Sequence, residues 1–158
     1  MGRPQRLTKE KLLDYGITNI TTDGRVFMDD YERKVIIQNK SSRYGTYQAK
    51  AIQVYDKDIY EKGKENGKSS YGTKNIIIAR AMWAWFYDGI SNDKISEGAL
   101  KVLKGKCPAH TVPAGLDVDH INGDSLDNRF ENLQLVTRAE NLAKRKGYMN
   151  QYEASYRD

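Results

Sequence analysis

Four side chains near the C-terminal end of this 158-residue chain have types and spacing that could do chemistry. Asp119 and His120 are adjacent, eleven residues separate His120 from Asn132, and eight more separate Asn132 from Asn141. Aspartate and asparagine offer hard oxygens to a divalent cation, and the histidine offers a base beside it. Those are the parts needed to break a phosphodiester bond with water. The other histidine, His110, lies between Pro108 and Pro113 and is expected to be exposed and inert. A single cysteine, Cys107, can form neither an internal disulfide nor a cysteine-based zinc site, so a reducing cytoplasm is expected.

Short elements must bring the four together. Leu116–Asp119 reads as a strand delivering Asp119 and His120 at its end, and Leu133–Val136 as the returning strand. Between them, residues 122–128 form a turn-rich loop in which Asp124, Asp127 and Asn128 are expected to cap turns. Asn132 taken alone would be an ordinary turn residue, and only its spacing raises it. Thr137 with Glu140 three residues on is a capping box, starting a helix expected to run from about Arg138 to Lys146 and stop at Gly147. Asn141 falls in its first turn, with Lys144 and Arg145 three and four residues on, along the same side.

Upstream, residues 7–15 read as a short helix with Thr8 as N-cap. Strands are expected at 17–20, 25–28, 34–38 and 44–55, the first two joined by a turn at Asp23-Gly24. Residues 56–75, rich in Lys, Gly, Ser and Asn, read as a flexible loop. Ile76–Ile78 reads as a strand running into a helix at 79–87 that ends before Gly89. Its Ala79, Met82, Trp83 and Phe86 face is expected to be core. Residues 90–115 form a polar connection with one helix at 98–103.

A hydrophobic content of 39% and a mean hydropathy of −0.77 describe a polar chain, and no apolar run is long enough to span a bilayer. The N-terminus lacks the apolar core of a secretory signal. Net charge is +5, unevenly spread. Residues 1–60 carry 11 Lys/Arg against 8 Asp/Glu, residues 61–115 carry 9 against 5, and residues 116–158 carry 6 against 8. A basic upstream part and an acidic part around the four side chains suit a protein that holds a polyanion with one and a cation with the other. A merely solubilising surface explains the net charge equally well. Arg3 in Gly2-Arg3-Pro4 resembles the core of a minor-groove AT-hook, although a terminus without fixed structure is the simpler reading.

The segment VDHINGDSLDNRFENLQLVTRAENLAKRK resembles the HNH endonucleases of the phage and homing type, whose site is a ββα-metal finger. The resemblance covers roughly the C-terminal half; residues 1–75 match only loosely. It implies that His120 is the general base, that Asp119 and Asn141 hold one Mg²⁺ (or Mn²⁺), and that Asn132 ties the loop to the finger. Asn stands at position 141 where the family often has His, which favours a hard, oxygen-preferring ion. Lys144 and Arg145 are candidates for phosphate contacts.

The expected fold class is α+β, a β-rich N-terminal half followed by the finger. The expected division is a DNA-contacting region at 1–75 and a nuclease domain at 76–158 with its core at about 116–147. The expected function is metal-dependent hydrolysis of double-stranded DNA, leaving 5′-phosphate and 3′-hydroxyl ends, in the cytoplasm (of the bacterial host if phage-encoded). Two alternatives stand beside it: a catalytically silent DNA-binding protein on the same scaffold, and a non-specific toxin-like nuclease. The paired histidines of the last group are missing here.

Overall fold

A computed structural model describes residues 5–42, 45–67 and 71–157, backbone only for Ser42 and residues 148–157. Gly2-Arg3-Pro4 and the expected strand start at Tyr44 lie outside the described residues.

The fold is α+β, built around one apolar helix, α3 (Ile78–Phe86). Seven of its nine residues are buried, Met82 and Trp83 completely. Nearly every other side chain here is apolar, so the helix can be enclosed on all sides. Trp83 stacks on Tyr87 at 4.7 Å and meets Phe130 at 5.9 Å. Deleting such a side chain costs about 3–5 kcal/mol.

Elements from both halves of the chain pack on α3. At the N-terminus, β1 (Leu7–Thr8) pairs antiparallel with β8 (Thr111–Val112) and leads into α1 (Lys9–Asp14). Thr8 caps α1 by accepting from the Lys11 backbone N–H at 3.1 Å. A meander of β2 (Ile17–Ile20), β3 (Val26–Met28) and β4 (Tyr31–Glu32) follows. A further three-stranded sheet comprises β5 (Ile36–Ser42), β6 (Gly45–Tyr55) and β7 (Thr73–Ile77), all antiparallel. After α3 come α4 (Glu97–Val102), β8, and a hairpin of β9 (Leu116–His120) and β10 (Leu133–Thr137), interrupted by a 3-10 turn at Phe130–Asn132. The chain ends in α5 (Arg138–Arg157). Leu12, Ile17, Val26, Ile52, Ile78, Trp83, Val112, Leu116 and Leu135 belong to one buried cluster, so both halves of the sequence feed a single core.

Several expectations need correcting. The 56–75 loop contains a helix, α2 (Lys57–Glu65), started by Asp56, whose Oδ1 accepts from the backbone N–H groups of Asp58 and Ile59. None of α2 is buried, and Ile59 and Tyr60 are its only large apolar side chains. Gly72 lets the chain return beneath it: φ is +69°, and a Cβ there would sit 2.7 Å from Tyr60 Cβ. Gly147 does not stop the last helix, which runs on to Arg157. Gly147 keeps negative φ and its surroundings are open, so the helix bears only the intrinsic cost of glycine, about 1 kcal/mol. The 7–15 element is split, its first two residues being drawn into β1 by pairing with β8. His110 is half-buried rather than exposed. Its backbone N–H donates to Tyr87 O at 2.7 Å, its carbonyl accepts from Lys9 N–H at 3.0 Å, and Nδ1 lies 3.3 Å from Ala84 O. It joins α1 to the end of α3.

Candidate active site

The β9–β10 register determines what each side chain meets. Asp119 lies opposite Gln134, and Asp117 opposite Val136. Alternation along β9 sends Val118 toward the core and the two aspartates toward α5. Asp119 Oδ2 accepts from Gln134 Nε2 at 2.8 Å and from Lys144 Nζ at 2.7 Å. Asp117 Oδ2 accepts from Asn141 Nδ2 at 3.0 Å, and Oδ1 lies 3.8 Å from Arg138.

Lys144 turns inward. Besides Asp119, its ammonium donates to His120 O at 2.7 Å and Ile121 O at 3.2 Å, tying α5 to the end of β9. Arg145 instead lays its guanidinium over the Tyr47 ring, 3.9 Å from the centroid, bridging α5 to β6.

Asn132 is buried and braces the loop with three bonds. Its Oδ1 accepts from Asn122 N–H at 3.0 Å, and its Nδ2 donates to Asn122 Oδ1 and to Asp127 O, each at 2.9 Å. Gly123, at φ +79°, closes the turn by donating to His120 O. Asp124 and Asp127 form turns as expected, accepting from Leu126 N–H and Arg129 N–H. The Arg129 guanidinium, hydrogen-bonded to Asp127, holds that carboxyl below the usual carboxylate range. Asn128 is different: it is 5% exposed, and its Oδ1 lies 2.7 Å from His120 Nε2.

The helix begins as the capping box requires. Thr137 Oγ1 accepts from Glu140 N–H at 3.1 Å, and Glu140 Oε1 accepts from Thr137 N–H at 2.9 Å. Ser96, the α4 N-cap, also donates to Glu140 Oε1 at 2.7 Å. Burial would raise the Glu140 carboxyl, but these bonds outweigh it and hold its pKa low.

Asp119, His120 and Asn141 line one groove of about 670 Å³ between the finger and the β5–β6–β7 sheet. Arg6, Lys40, Lys74, Arg80, Arg138 and Arg145 also line it. Among the described residues, Asp119 Oδ1 and Asn141 Oδ1 accept no hydrogen bond, leaving two hard oxygens for a cation. Lys144 already places a positive charge beside Asp119. Among the described residues no three His, Cys, Asp or Glu side chains converge. Asp119 and Asn141 offer oxygen donors, the kind a hard divalent ion prefers.

Residues 110–143 match the HNH endonuclease family model. The matched segment contains Asp119, His120, Asn132 and Asn141, and ends just short of Lys144 and Arg145. Neither the curated proteins nor the solved structures contain a match to the chain. Among the described residues no helix is long and apolar enough to cross a membrane.

Sequence reasoning missed Asp117, Gln134 and the true position of Asn128. The Asp117-Val118-Asp119 alternation could have indicated Asp117 as a second carboxylate on the α5 side. Gln134 has no such signal, since it matters only because the register puts it opposite Asp119.

Proposed function

We propose that this protein is a metal-dependent HNH endonuclease that hydrolyses phosphodiester bonds of double-stranded DNA, leaving 5′-phosphate and 3′-hydroxyl ends. The observation that carries this reading is the shared groove: Asp119, His120 and Asn141 face a channel whose walls carry six Lys/Arg side chains. A phosphate backbone fits such walls. Their contributors come from both the finger and the upstream sheet, which supports a DNA-contacting role for residues 1–75.

In the proposed mechanism His120 takes a proton from the attacking water, a role worth about 10²–10⁴-fold. Asp119 and Asn141 would hold one Mg²⁺ or Mn²⁺, with Gln134 and Lys144 orienting the Asp119 carboxylate. Such an ion supplies charge stabilisation for the phosphoryl oxygens and the departing 3′ oxygen. Asn132 keeps the loop closed against the finger. Arg145, braced on Tyr47, is the better placed of the two basic candidates to meet a phosphate.

The test is incubation of the full chain with supercoiled plasmid in Mg²⁺, Mn²⁺ or EDTA. Nicked or linear plasmid is expected with either metal. No product is expected with EDTA or with a folded His120→Ala variant. Absence of cleavage under both metals overturns the proposal. Cleavage to a smear of short fragments replaces it with a non-specific nuclease.

A further inference from the structure

We propose that Asn128 is a positioning residue that sets the tautomer of His120 and is itself held by the N-terminal hairpin. This rests on the reading of His120 as general base. A neutral imidazole carries one N–H and one lone pair, and the partner of one nitrogen decides the role of the other. Asn128 Oδ1, an acceptor, lies 2.7 Å from Nε2. The proton therefore resides on Nε2, and Nδ1 keeps the lone pair that a base needs. Among the described residues Nδ1 has no hydrogen-bond partner.

Burial makes this contact selective. Asn128 is 5% exposed, so water cannot readily replace its oxygen. Its Nδ2 is buried and meets no protein acceptor among the described residues, so the amide engages protein side chains only through its contact with His120. An ordinary turn residue would point its amide at the local backbone, as Asp124 and Asp127 point their carboxylates.

The support comes from far upstream in sequence. Gly24, at φ +94° in the β2–β3 turn, lies against Asn128 so closely that a Cβ would stand 3.3 Å from Asn128 Cβ. Beside it, Thr22 O accepts from Phe130 N–H at 3.3 Å. The hairpin turn is thus the back wall of the histidine's support, and the N-terminal half is part of the catalytic apparatus.

The test combines imidazole ¹⁵N NMR with steady-state cleavage. Two histidines make assignment direct, by difference against His120→Ala. At a pH where both are neutral, wild-type His120 is expected as the Nε2–H tautomer. Finding Nδ1–H overturns the proposal without any variant. Asn128→Leu, similar in volume but without an acceptor, should give a tautomer mixture and lower kcat at least about tenfold with KM within about twofold. Asn128→Asp restores the acceptor and should recover the Nε2–H tautomer and most of kcat. A folded Asn128→Leu with wild-type tautomer and kcat refutes the assignment, even if the protein is a nuclease. If wild type cleaves nothing, the functional reading fails separately, and the NMR experiment still decides the tautomer.

Discussion

Replacing Asn132 by alanine tests whether the loop is held as the structure indicates. The side chain makes three hydrogen bonds at 2.9–3.0 Å, to Asn122 N–H, Asn122 Oδ1 and Asp127 O. A net value of roughly 0.5–1.5 kcal/mol per bond gives about 3 kcal/mol. Asn122 is exposed, so water recovers part of its bonding and about 2–3 kcal/mol is the expected loss. For a chain of this size that corresponds to a fall in Tm of roughly 5–10 °C. Asn132→Asp sharpens the argument. It keeps the Oδ1 acceptor but turns a donor into a second carboxylate oxygen facing Asn122 Oδ1 and Asp127 O. It should be at least as destabilised as the alanine variant despite its isosteric shape. Urea and thermal unfolding followed by circular dichroism give both values. If both variants remain within about 0.5 kcal/mol of wild type, the brace is not structural and the geometry assigned to the loop is wrong.

Three further outcomes follow. Glu140→Ala removes one half of the capping box and the hydrogen bond from Ser96 that joins the start of α4 to α5; it should cost about 1–2 kcal/mol in urea unfolding, whereas a loss below 0.3 kcal/mol would refute the link. Lys144→Met removes a positive charge 2.7 Å from Asp119 while Gln134 still orients the carboxylate, so Mn²⁺ should bind roughly tenfold more tightly by calorimetry; unchanged or weaker binding would refute the reading that this charge opposes the cation. The Tyr15 hydroxyl, raised to about 12 by burial and by its hydrogen bond to Asp56, contributes stability that is complete below its ordinary pKa of 10.0 and is lost as pH rises through about 12. The stability gap between wild type and Tyr15→Phe should therefore narrow between pH 10 and about 12, and a gap that stays constant would refute the coupling.

Much of the finger was legible before any coordinates. Strand, loop, strand and capped helix follow from local signals: a Thr137/Glu140 box, a turn-rich loop, and two short apolar runs. The core face of the 78–86 helix was legible too, because an Ala/Met/Trp/Phe stripe can only be enclosed. Less local features were hidden. Asp56 starts α2 with a single side chain and no buried stripe, so composition suggested a loop. His110 looked exposed because prolines flank it, yet its backbone and ring are spent on Tyr87, Lys9 and Ala84, each distant in sequence.

The chain by itself determined which groups are available: one aspartate and one asparagine with hard oxygens, one histidine, one bracing amide, and the short elements that carry them. These depend on residue type and on interactions within a few positions, which sequence encodes directly. Tertiary structure decided how the groups are used. Strand register set Gln134 against Asp119, helix docking turned Lys144 inward rather than toward the groove, and the fold placed the Gly24 turn against Asn128, whose Oδ1 lies beside His120 Nε2. Each depends on residues brought together across ten to a hundred positions, where the outcome is set by the shape of the common core and not by any local pattern.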